Sequence, residues 1–231
     1  MPTVVRAAAQ ACLGLLLTVP AGCTRPLSFQ QQTALVREGR LDVVHVSHQP
    51  LRDDDLSLLS GLGSLRELLL DDTRLTDRGV ACLQGLRRLE HLRLRGARVT
   101  DEGTRTIATL SELRIVNLPE AQFTDKGLTE LAKLPKLELL RFHSPHVTDQ
   151  GMSALAAMPN LRFLHLLAVP ITDAGLQPLA SLSQLESLYL DDMSVTDEAI
   201  ERLLQSLPHV HVHINQAHHP ADPHGHDHEP G

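Results

Sequence analysis

Tryptophan is absent from this 231-residue chain, tyrosine occurs once, and aromatic residues make up 2 % in all. With 42 % hydrophobic residues the chain can still bury a sizeable core, so that core must be aliphatic, chiefly leucine. Cysteine is scarce as well: Cys12, Cys23 and Cys82 form no C-x-x-C pair. Catalytic signatures are missing, since there is no G-x-S-x-G, no H-E-x-x-H and no phosphate-binding glycine loop. A concentrated basic face is also absent; the formal charge is −7, which argues against nucleic acid as a partner. The composition points away from an enzyme and away from a nucleic-acid binder.

What the chain does have is a repeat. Thr76-Asp77 returns every 24 residues as Thr100-Asp101, Thr124-Asp125, Thr148-Asp149, Thr172-Asp173 and Thr196-Asp197. Two residues after each Asp stands a glycine (Gly79, Gly103, Gly127, Gly151, Gly175), replaced by Ala199 in the last copy. A fixed period of this size is the mark of a solenoid, whose units bury their apolar faces only against one another. Within a unit, Leu65-x-x-Leu68-x-Leu70 ends in the alternation of a strand, and Val80, Leu83 and Leu86 then recur at the spacing of a short helix. Thr and Asp suit the start of that helix, because their oxygens accept from free N–H groups and the Asp charge favours the positive end of the dipole.

L-x-x-L-x-L, an apolar residue, T-D-x-G-L and L-x-x-L together resemble the bacterial leucine-rich repeat. The resemblance covers residues 41–214 and implies an α/β leucine-rich-repeat solenoid, a horseshoe arc with a parallel concave sheet and short convex helices. Counting the register to both ends predicts about eight strands and seven helical turns, with Asp53 beginning the first turn. The slot that many such repeats fill with Asn or Cys holds Thr73, Ala97, Ala121, Pro145, Val169 and Met193, so no Asn ladder is expected.

The ends differ from the array. Residues 1–22 read as a signal peptide: Arg6 precedes an apolar run, Ala7 to Val19, too short to span a bilayer. Pro20-Ala21-Gly22-Cys23 resembles a lipoprotein cleavage box with Pro20 in place of the usual Leu, which implies lipidation of Cys23; ordinary cleavage near Gly22 is the alternative. Residues 23–40 form a tether and an N-terminal cap, with Ser28 and Gln31 spaced as a capping box and a helix stopped by Gly39. The repeat domain then runs over 41–215. Residues 216–231, almost free of apolar side chains, are expected to form a disordered His-rich tail.

Strand alternation exposes three columns on the concave side. The middle one reads His45, Leu69, Arg93, Asn117, Arg141, His165, Tyr189, His213. Arg93, Arg95, Arg141, His143 and His165 make a basic centre, with Phe163 and Tyr189 beside it and Asp71 and Asp191 at its flanks. Such a face suits a protein or peptide partner that is acidic or amphipathic; the bland reading is a solvated row in which Asp71 pairs with Arg95. His209, His211 and His213 alternate on the last strand, followed by His218, His219, His224, His226 and His228. No cofactor is required by the pattern, but His211, His213 and the tail histidines offer ligands for zinc, nickel or copper. Three readings result: an interaction module of the bacterial cell envelope, membrane-anchored through lipid or periplasmic; a periplasmic metal binder; a structural surface lipoprotein.

Overall fold

In the computed structural model, which describes residues 26–215, 217–220 and 222, the predicted alternation becomes strand at every repeat. The strands are β1 Val43–Val46, β2 Glu67–Leu70, β3 His91–Leu94, β4 Ile115–Leu118, β5 Leu139–Phe142, β6 Phe163–Leu167, β7 Ser187–Asp191 and β8 His211–Ile214. They pair in parallel, each with the next, and residues 24 apart face one another throughout. Buried and half-buried side chains alternate along them, so one set faces the core and the other the concave surface. Aliphatic side chains fill the interior, as the scarcity of aromatics requires. Phe29, Phe123 and Phe142 are the three fully buried phenylalanines, the last two packing with centroids 5.2 Å apart. The fourth, Phe163, lies on the concave side with the single tyrosine.

On the convex side stand three 3-10 turns, Asp53–Leu59, Leu155–Ala157 and Gln177–Ser181, and six α-helices: α2 Asp77–Ala81, α3 Asp101–Ile107, α4 Asp125–Leu131, α5 Asp149–Met152, α6 Asp173–Leu176 and α7 Asp197–Ser206. Each helix has its repeat threonine as N-cap, and from Thr76 to Thr172 the hydroxyl accepts from the N–H two residues on. The aspartates do something different from the expected capping of their own helices. Each carboxylate from Asp53 to Asp173 accepts the backbone N–H of the next repeat's threonine at 2.7–2.9 Å. The same carboxylate accepts that threonine's hydroxyl proton. The motif is therefore a bond between repeats and only half a helix cap.

This bond explains the glycine. A Cβ at Gly79, Gly103, Gly127, Gly151 or Gly175 would fall 2.2–2.6 Å from the preceding repeat's Asp Oδ1. Close approach, and not a left-handed backbone, excludes a side chain there. In the sixth copy Ala199 supplies the Cβ, and the local geometry moves: Thr196 adopts ψ 155° and its hydroxyl accepts from the third helical N–H, that of Ala199 itself.

Both sheet edges are closed. Helix α1, Phe29–Arg37, begins in the predicted capping box of Ser28 and Gln31 and buries Phe29, Thr33 and Val36 over the first repeat. Its Gln32 carboxamide bonds the edge strand twice, donating to His45 O and accepting from His45 N, both at 2.8 Å. A side chain thus stands where another strand would add. At the far edge the expectation of a structureless tail from residue 216 is corrected for the described residues. Ala217–His218, β9, pairs antiparallel with β8. His219 N–H donates to Val212 O, and Asp222 accepts from Val212 N–H at 3.0 Å. His219 and Asp222 are both buried, and the His219 imidazole lies 3.3 Å from Asp197, the one repeat aspartate with no following Thr-Asp copy.

Gly151→Ala should cost about 1–3 kcal/mol of unfolding free energy by overpacking, and Asp125→Ala a similar ~1–3 kcal/mol by leaving donors unpaired. Because the clash is largely with the Asp125 carboxylate, urea unfolding of the double variant should show a loss clearly smaller than the sum. Losses that add to within ~0.5 kcal/mol would separate the glycine from the aspartate.

Candidate binding surface

The register places the expected columns side by side: Leu69, Arg93, Asn117, Arg141, His165, Tyr189 and His213 run across β2 to β8 in one row. Their charges are partly taken up within the face. Asp71 accepts from Arg93 at 2.6 Å and lies 3.4 Å from His45, so its partner is Arg93 and not the expected Arg95. His165 is held by Asp191 at 2.8 Å. His143 Nδ1 lies 2.8 Å from Leu167 O, which ties that ring to the next strand. Arg95 and Arg141 remain without a carboxylate partner among the described residues. The basic centre therefore narrows from five groups to these two.

The apolar members are also arranged. Arg162 places its guanidinium 5.4 Å over the Phe163 ring. Tyr189 lies between two imidazoles, 5.3 Å from His165 and stacked at 4.3 Å and 8° on His213. Burial pushes the Tyr189 hydroxyl pKa up. It pushes His165 down, against the opposing pull of Asp191 and with the help of the Arg141 charge. In the neighbouring column burial, with Arg93 and His45 adding repulsion, drives His91 to about 4. Glu67, opposite it, is raised by burial and by Asp42.

One ordered set of charges escaped the column reading because it lies one residue before the columns. Arg66, Glu90, Arg114, Glu138, Arg162 and Glu186 alternate in sign at the 24-residue period. They join as Arg66–Glu90, Arg114–Glu138 and Arg162–Glu186 pairs, N–O distances 2.6–2.8 Å. The register that listed the concave columns would have found it one position earlier. Exposed pairs of this kind contribute ~0.2–1 kcal/mol each and chiefly disfavour slipped register.

The remaining expected sites fare differently. Cys23, His224, His226 and His228 lie outside the described residues, and so does the His218 side chain. His209 sits in the turn before β8, so the expected row of three imidazoles shortens to His211 and His213. His219 is engaged with Asp197, and among the described residues no three His, Cys, Asp or Glu side chains gather as a metal site. In the slot lacking Asn, Thr73 donates its hydroxyl to Arg95 O at 2.7 Å, and one position before the slot's Pro145 the buried Ser144 donates to Phe123 O at 2.6 Å. No helix among the described residues is long and apolar enough to cross a membrane.

Comparison with known proteins agrees with this architecture. No family model and no curated protein sequence matches the chain. Among solved structures it is similar to a leucine-rich-repeat protein of Leptospira interrogans, at 17 % identity and a TM-score of 0.52 over 78 % of this chain. The chain spans 50 % of that structure's length. The fold is a leucine-rich-repeat solenoid.

His91 carries a pH dependence. Its folded pKa lies below the ordinary 6.5, so protons bind the unfolded chain more readily, and stability is intact above pH 6.5 and declines as pH falls toward 4. Between pH 7 and 4.5 the parent should lose about 1–2 kcal/mol more than His91→Gln. Urea unfolding of both at the two pH values checks this; parallel losses would contradict it.

Proposed function

We propose that the chain is a non-enzymatic interaction module that holds a polypeptide partner on its concave face, and that it works in the bacterial envelope. A leucine-rich-repeat solenoid suggests such a module, since its repetition builds an extended surface. The observation that carries the reading is the contrast between the two sides. On the convex side the repeat aspartates bind the following threonines, and both sheet edges are covered by the chain's own groups. The concave side holds the one tyrosine and the one phenylalanine not sequestered in the core, together with two arginines that have no carboxylate partner among the described residues. Aromatic and arginine side chains are the usual anchors of interfaces. The location rests on the leader over residues 1–22 and on Cys23, which we take as the lipid attachment point.

Two experiments test these parts separately. Proteins cross-linked to the parent chain in its native envelope should fall by at least about tenfold with Arg95→Glu/Arg141→Glu and persist with the convex control Arg105→Glu; an unchanged partner set would contradict concave binding. Cys23→Ala should move the protein from the membrane fraction to the soluble fraction, and retention in the membrane would contradict lipid anchoring.

A further inference from the structure

A cavity of about 210 Å³ lies over β3, β4 and β5, lined by Arg93, Arg95, Asn117 and Arg141 with Pro119 and Leu167 at its rim. Here, among the described residues, are the buried side-chain polar atoms without a hydrogen-bond partner: Arg93 Nε, Asn117 Oδ1 and Arg141 Nε. The three residues are consecutive in one row of the sheet, Arg93 opposite Asn117 and Asn117 opposite Arg141. Buried polar groups are almost always satisfied, so three neighbouring exceptions single this spot out from the rest of the array.

Charge narrows what could fill it. The lining holds three arginines against Asp71 and Glu120, a formal balance of +1. Arg93 is engaged by Asp71, and Glu120 by the Gly96 N–H at 2.7 Å. Arg95 and Arg141 are the lining cations without a carboxylate partner among the described residues, and with the Glu120 charge counted against them the site matches one negative charge. A dianionic phosphate would exceed that balance and meet two fixed carboxylates. A single carboxylate fits it and can take both arms of a guanidinium fork. Pro119 and Leu167 supply an apolar rim on which the methylenes of a glutamate can lie.

We infer that this cavity is an anchoring site for one carboxylate side chain, most suitably a glutamate, presented by an acidic segment of a polypeptide partner. Arg141 forks the carboxylate, Arg95 closes over it from its exposed position, and Asn117 meets it through the Nδ2–H donors of its carboxamide, because Oδ1 and the carboxylate are both acceptors. The assignment rests on the concave face being the binding surface, and it adds the chemistry that surface would select.

The test is an NMR titration of the isotope-labelled full chain, following the Asn117 side-chain amide and the Nε–H groups of Arg93 and Arg141. The probes are N-acetyl-glutamate amide, its neutral isostere N-acetyl-glutamine amide, and inorganic phosphate. The glutamate compound should give saturable shifts at millimolar concentration, the glutamine compound none, and phosphate a weaker response. Arg141→Gln should weaken glutamate binding by about tenfold, as should Arg95→Gln, whose exposed position leaves the fold undisturbed. Equal responses to glutamate and glutamine, tighter binding of phosphate, or unaltered affinity in Arg95→Gln would overturn the assignment. A chain that keeps its cross-linked partner through Arg95 and Arg141 yet shows no carboxylate shifts would retain the interaction surface and lose only this site.

Discussion

The bond from each repeat's aspartate to the next repeat's threonine is the constraint on which the rest of the structure depends. The parallel ladder holds the concave side, but convex segments of four to ten residues are too short to be stable as isolated helices. Asp carboxylates bridge them. Each sits at the start of one segment and receives the backbone and hydroxyl donors that open the next, so consecutive segments cannot slide or splay independently. The same bridge draws backbones close enough to require glycine. Threonine, aspartate and glycine are thus one device with three parts. The fold keeps a strict 24-residue period because every part must meet its counterpart one repeat away.

On the convex side these bonds occupy the repeat aspartates and threonines. A solenoid also has two terminal edges, and this one covers both, with polar groups bonding the edge strands. Gln32 imitates a strand with a single carboxamide, while His219 and Asp222 satisfy the last repeat from a segment nearly devoid of apolar residues. Strand addition at either edge is thereby disfavoured. On the concave face several charges are matched internally, as Asp71 with Arg93 and His165 with Asp191. The exceptions, Arg95 and Arg141, have no carboxylate partner among the described residues.

Much of this was legible in the sequence. The period set the eight parallel strands, their register and the concave columns, because a repeat converts one strand's alternation into a map of the sheet. The N-terminal helix and its capping box followed from local rules. What local rules misassigned was the aspartate: standing at a helix start, it reads as a cap for its own helix, and its true partner lies 23 residues on. The glycine two places later held the clue, since a capped helix has no need of glycine there. Residues 217–220 and 222 were misread for another reason. Composition measures the capacity to bury apolar surface, and this segment is ordered by hydrogen bonds to an exposed strand edge. Asp71 chose Arg93 over Arg95 because a long side chain can reach diagonally across strands, which column arithmetic ignores.

Native-state hydrogen exchange tests the central claim most directly. The threonines of the repeat are largely exposed on the convex side, where amides in ordinary surface turns exchange quickly. If their N–H groups are held by the preceding aspartates, the amides of Thr100, Thr124, Thr148 and Thr172 should be protected to within about tenfold of the β3–β6 strand amides. Exchange of these four at the rate of an exposed turn, with the strands still protected, would show that the aspartate bridges do not hold the array together.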